Sequence, residues 1–164
     1  MSLFTIVSVL CALGAGLTAG IFYAFSTFVM AALAKLPPVN GIAAMNAINV
    51  AVINPWFMAV FLGTPLLCIA ALILAVLNWN VPGSAWILAA AVLYIVGSFG
   101  VTVFFNVPLN NALGAAIPAS PEAAALWTRY LAEWTFWNHV RTAAPFAAMA
   151  MFIIGLLLQR NPAP

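Results

Sequence analysis

Between Lys35 and Glu122 the chain carries no charged side chain. A helix crossing the hydrocarbon core of a bilayer takes about 20 apolar residues, so this stretch alone holds two crossings and the turn between them. The rest of the chain is of the same kind. Of 164 residues, 67% are hydrophobic and 4% are charged, where a soluble domain carries about 25% charged residues. Two acids, four bases and one histidine cannot clothe a particle of this size against water. The class read from the sequence is therefore an integral, multi-pass membrane protein.

Four apolar runs reach crossing length: residues 3–34, 56–77, 85–105 and 140–158. In lipid every backbone polar group must be satisfied within the protein, so these runs are expected as helices of an all-α four-helix bundle forming one domain over 1–164. The first run is about twice the length of a signal-peptide core and is expected to stay as a span. Asn54-Pro55 and Pro82-Gly83-Ser84 supply the cap and turn residues that separate the spans. With four crossings both ends of the chain share one side. The short 78–84 turn lies there too, and the long connections 35–55 and 106–139 lie together on the other.

Both long connections read as ordered and partly helical. Ile42, Met45, Asn46, Asn49 and Ile53 recur at three- and four-residue spacing, which places a helix with an amide stripe over 41–54. Ser120-Pro121-Glu122 is a helix start, with a cap, a proline at the first helical position and an acid in the first turn. From there a helix can run into the fourth span. On it Trp127, Tyr130, Trp134, Trp137, Asn138 and Arg141 fall within an arc of about 100°. The stripe has two readings: an aromatic belt at the membrane boundary with an arginine reaching the headgroups, or the wall of a pocket served by a cation.

Other residues carry similar pairs of readings. Asn106-Val-Pro-Leu-Asn110 closes the third span, and its two amides either satisfy the helix terminus or donate together to a ligand oxygen. Glu133 is a proton acceptor or the ion partner of Arg129 four residues earlier. His139 lies about 120° from Trp127 on the wheel, off the stripe. As the only histidine it builds no zinc site within one chain, although a single axial haem ligand stays open. Phe22, Tyr23, Phe25, Ser26 and Phe28 crowd the loop-side end of the first span. Gly16 and Gly20, with Ala12 and Ala24, offer a small-residue packing face. Pro65 and Pro145 remove helix hydrogen bonds and mark kinks, the second beside Arg141. Cys11 and Cys68 sit in apolar runs and read as buried hydrophobes. Aspartate is absent, which excludes an Asp dyad, an EF-hand loop or an Asp-bridged metal cluster.

The strings Gly20-Ile-Phe-Tyr-Ala-Phe-Ser26, Met45-Asn46-Ala-Ile-Asn49, Asn106-Val-Pro-Leu-Asn110 and Trp137-Asn138-His139-Val-Arg141-Thr142, in that order and over nearly the whole chain, resemble the anthrone oxygenase-like family of small four-span membrane proteins. Many bacterial members of that family carry only a domain-of-unknown-function label. The resemblance implies cofactor-independent oxidation of a lipophilic polycyclic phenol or enol by dioxygen, through its enolate. Carried onto this chain, it makes Arg141, Asn138, Asn106, Asn110, Glu133 and His139 the catalytic candidates. Tyr23, Ser26, Asn46, Asn49, Tyr130, Trp134 and Trp137 become the substrate-binding candidates, with no metal ligand and no cofactor. The competing reading is a non-enzymatic membrane subunit that binds a quinone, haem or other lipophile. Partners expected on either reading are a lipophilic small molecule and membrane lipid, not nucleic acid, with homo-oligomerisation left open.

Overall fold

Every helix of the chain begins at a residue able to start one. The computed structural model describes residues 1–117 and 119–160. Helix α1 runs from Leu3 to Leu33, capped by the Ser2 hydroxyl, which accepts from the Thr5 N–H at 3.1 Å. Helix α2 covers Pro38–Ala51. Helix α3, Pro55–Leu77, has proline in its first turn and the Asn54 side chain accepting from the Phe57 N–H at 3.0 Å. Helix α4 spans Ser84–Gly114, and α5 spans Pro121–Arg160, with the Ser120 hydroxyl accepting from the Ala123 N–H at 3.0 Å. Among the described residues there is no strand.

Among the described residues there are five helices, and all but α2 are long and apolar enough to cross a membrane. They form a square: α1 and α4 each pack on both α3 and α5, and α2 lies across α5 and the far end of α4. The start of α1 and the end of α5 are at one end, where the Thr5 hydroxyl donates to Gln159 Oε1 at 3.2 Å. The interior is layered. An apolar cluster including Phe4, Cys11, Cys68, Ile87 and Phe152 fills the end near the chain termini. A second, richer in large side chains (Met30, Met45, Trp127, Tyr130, Trp134), fills the other. Between them lies a buried polar layer of Ser98, Thr102, Asn106, Asn138, Arg141 and Thr142.

Two features differ from expectation. The third span does not stop at Phe105, and 106–139 is almost wholly helical. Wider i→i+5 turns at Ile95–Gly100 and Thr102–Asn106 carry the chain through to Val107–Gly114. Pro108 falls in the first turn of that resumed α-helix, where a missing N–H costs least. The prolines within α3 and α5 do not end them: both helices continue through Pro65 and Pro145. Finally, the buried face of α1 is Ser8, Cys11, Ala12, Ala15 and Ala19; Gly16 is half-buried against Met149, while Gly20 is exposed, with open space where a Cβ would stand.

The close backbone approach occurs elsewhere. Gly83, at φ +89°, enters α4 in the left-handed region, and a Cβ there would overlap the Gly155 carbonyl oxygen. Alanine at 83 adds about 1–2 kcal/mol for the left-handed backbone and a clash that must push α4 off α5. Gly83→Ala is therefore expected to lower the melting temperature in detergent. Gly20→Ala should hold or raise it, because it removes backbone freedom from the unfolded chain without a clash. Equal melting temperatures for the two variants would refute the contact.

Candidate functional site

The polar layer is organised by helical irregularity. Residues Phe25–Val29 of α1 form a π turn, and one turn earlier the Phe22 carbonyl accepts a hydrogen bond from Asn138 Nδ2 at 2.9 Å. The same amide nitrogen donates to the Ser26 hydroxyl at 2.8 Å. Asn138 Oδ1 in turn accepts from Arg141 Nε at 3.0 Å. A guanidinium only donates, so this contact fixes which way the amide points. Both ends of Asn138 are occupied, and its part is to hold Arg141 in place.

Arg141 makes a second bond across the bundle, from Nη1 to the Thr102 hydroxyl at 3.3 Å. That hydroxyl donates to the Ser98 carbonyl at 2.8 Å, within the widened part of α4. The guanidinium carbon lies 4.1 Å from the centre of the Phe22 ring and 4.6 Å from that of Trp134, both within cation–π range. Arg141 is only 5% exposed, so it is not a side chain reaching out to headgroups. Among the described residues the one ion pair is Arg129 with Glu133, at 2.8 Å on an exposed face. The buried cation thus has neutral partners only. A buried charge is costly unless paired and hydrogen-bonded, and charges inside membrane proteins commonly mark functional sites.

Arg141 borders a cavity of about 650 Å³ at the loop-side end of the bundle, within the usual size of a small-molecule site. Phe22 and Phe25 of α1, Phe57 and Phe61 of α3 and Trp134 of α5 supply its aromatic walls. Polar groups reach it from α2 (Asn46, Asn49), from α4 (Thr102, Asn110, Asn111) and from α5 (Arg141). Val50 and Ile53, 74% and 72% exposed, stand at its edge where α2 turns into α3. Asn110 Oδ1 accepts from Tyr130 Oη at 2.7 Å and from Trp134 Nε1 at 2.8 Å. Indole N–H is a donor only, so Oδ1 is fixed as the acceptor and the Asn110 NH₂ is left for the cavity.

Of the catalytic and substrate-binding candidates, Arg141, Asn110, Asn46, Asn49 and Trp134 line this cavity. Asn138, Ser26, Asn106 and Tyr130 stand behind them. Asn106 Nδ2 donates to the Trp134 carbonyl at 3.1 Å, and Tyr130 is fully buried beneath Asn110. Four others lie elsewhere. Tyr23 is exposed and packs edge-on to Phe146. Trp137 is half-buried and stacks on Phe105, with ring centres 3.7 Å apart. Glu133 pairs outward with Arg129, and His139 is exposed off the aromatic stripe. Neither of the last two lines the cavity.

Sequence reasoning passed over Phe57, Phe61 and Thr102. The phenylalanines carry a legible signal: they follow the Asn54-Pro55 cap at i,i+4 spacing and stack with centres 5.6 Å apart. Thr102 belongs to a four-residue repeat, Ser98, Thr102, Asn106, Asn110, in an otherwise apolar span.

The fold and site together define a class: a bundle of membrane-crossing length with an aromatic cavity at one end and a single buried cation in its wall. The family model described as anthrone oxygenase matches residues 56–151, and the chain belongs to that family. Comparisons with curated proteins and with solved structures find no match.

Proposed function

We propose that this multi-pass membrane protein oxidises a lipophilic polycyclic phenol or enol of the anthrone type with dioxygen, without a cofactor. The observation that carries the reading is Arg141, a buried guanidinium with no carboxylate partner, set in the wall of an aromatic cavity. Aromatic walls suit fused rings. A fixed cation in a water-poor site favours the charge that develops on the substrate oxygen as the enolate forms, and favours it more than the neutral ketone.

The chemistry then balances without help from the wall. The ring C–H proton is lost and the electron pair enters the enolate. The enolate carbon transfers an electron to dioxygen, and the radical pair combines to a C–O bond. With a proton this gives a hydroperoxide, and loss of water breaks the O–O bond and leaves the second carbonyl of the quinone. Anthrone plus O₂ thus becomes anthraquinone plus water. Since Glu133 and His139 lie outside the cavity, the proton leaves to water at the cavity mouth, and Arg141 accelerates the step by making the substrate more acidic.

An oxygen electrode tests this. Protein in lipid nanodiscs, given anthrone, is expected to consume one O₂ per anthraquinone formed, at a rate well above empty discs. A preparation that binds anthrone yet leaves its slow autoxidation unchanged would refute the enzymatic reading. The cavity would then belong to a lipophile-binding subunit, and a Soret band in the purified protein would identify that lipophile as haem.

A further inference from the structure

The cavity has a second polar end. Asn49, on α2, lines it with a buried Nδ2 that makes no well-formed hydrogen bond, although its side chain lies within reach of the Tyr130 hydroxyl. Asn110, on α4, lines it with its oxygen already taken by Tyr130 and Trp134. Each side chain thus has an N–H to offer, and a buried donor without a partner costs free energy until something accepts from it. Trp134 sets where this end lies relative to the cation: its ring faces the Arg141 guanidinium at 4.6 Å, and its Nε1 bonds Asn110. The two polar ends meet on one indole, the cation over its face and Asn110 at its N–H edge, on a residue held between the Asn106 amide, which donates to its carbonyl, and the tilted ring of Phe25.

From this geometry we infer that Asn49 and Asn110 form a donor subsite, which selects a rigid lipophile carrying a second oxygen acceptor about one ring away from the oxygen held by Arg141. The inference rests on the proposed function and narrows its substrate class. A polycycle with one oxygen leaves the Asn49 donor unpaired. One with a carbonyl or phenolate oxygen at the amide end satisfies it. α2 is the element that completes this subsite, and it is fixed in place by Asn46 Nδ2, which donates to the Leu113 carbonyl at 3.4 Å, and by Gly41 seated against the Trp127 ring, where a Cβ would come within 2.7 Å.

The test compares anaerobic binding of anthraquinone, with two oxygens, and anthrone, with one, to the protein in nanodiscs, read by quenching of tryptophan fluorescence. The two-oxygen probe is expected to bind roughly 2- to 10-fold more tightly, the worth of one neutral hydrogen bond. Asn49→Leu should bring the two affinities together without lowering the melting temperature, since it removes a buried donor that made no well-formed hydrogen bond. A residue needed only for packing α2 would instead lower that temperature. Asn110→Asp, which keeps both accepted bonds but replaces the donor by an anion, should reverse the preference. Equal affinity for the two probes in the unmodified protein, or an unchanged ratio in both variants, would overturn the subsite even where oxygen uptake is normal. Absent oxygen uptake with the preference intact would instead sink the proposed reaction and leave the subsite standing.

Discussion

Arg141→Lys is expected to lower turnover of anthrone by roughly 100- to 1,000-fold, the usual consequence of losing one well-placed donor to a developing oxyanion. Lysine keeps the charge but not the shape. The guanidinium is a planar fork: Nε is bonded to Asn138, Nη1 to Thr102, and the ring faces of Phe22 and Trp134 lie within 4.1 and 4.6 Å. An ammonium cannot occupy both bonds and still present a donor to the cavity in a fixed direction. An arginine that merely carries its charge to the headgroups predicts a different result, namely near-normal turnover with lysine and a loss of stability with alanine. Oxygen uptake measured beside the melting temperature separates the two. Near-normal turnover in a well-folded Arg141→Lys protein would refute the catalytic role and move the cavity to the binding-subunit reading.

How much of this was legible before the structure depends on which physical rule was at work. The four crossings follow from charge depletion alone, which leaves the chain no other way to satisfy its backbone in lipid. The stripe on α5 was legible because that helix is regular: Trp127, Tyr130, Trp134, Asn138 and Arg141, placed on one face by a 3.6-residue period, are all buried. α4 was read less well for the opposite reason. In a regular α-helix a four-residue repeat drifts about 40° per step, so Ser98, Thr102, Asn106 and Asn110 spread over about 120° and do not read as one face. The widened turns at Ile95–Gly100 and Thr102–Asn106 take up part of that drift. They bring Thr102 to Arg141 and Asn110 to Tyr130 and Trp134. Nothing in local propensity announces a π turn in such a span. Three of them cluster around one buried cation here, in keeping with the placement of π turns at functional sites.

Glu133 and His139 fail as cavity residues for a simpler reason. Their wheel positions, about 240° and 120° from Trp127, already lie off the face, and only chemical need drew them toward the site. A polar side chain near a site in sequence is not in it unless the helix turns it there. Asn138 shows the complementary case. It sits on the correct face, but its three hydrogen bonds are all spent on the protein, which makes it a positioning residue rather than a group that touches substrate.

That difference gives the second large effect. Asn138→Asp places a carboxylate where an amide oxygen now accepts from Arg141 Nε at 3.0 Å. The cation then has an internal counter-ion, and the cavity no longer presents net positive charge to an anionic ligand. Loss of a hydrogen bond to a charged group is worth about 1.5–3 kcal/mol, so affinity for an enolate or phenolate should fall roughly 10- to 100-fold, with turnover falling alongside it. The Phe22 carbonyl also loses one of its donors and keeps the Phe25 N–H, a modest cost, partly offset by the new ion pair. The variant should therefore fold and bind a neutral polycycle almost as before, while losing the anionic one. Asn138→Leu differs in kind: it strips a partner from the buried guanidinium and from Phe22 and Ser26 at once, and is expected to lower yield and melting temperature sharply. Titrating both variants with an ionised and a neutral ligand distinguishes a charge held for the ligand from a charge held for the fold. If Asn138→Asp proved more stable than the unmodified protein and still turned over anthrone at full rate, the unpaired charge of Arg141 would have no part in recognition.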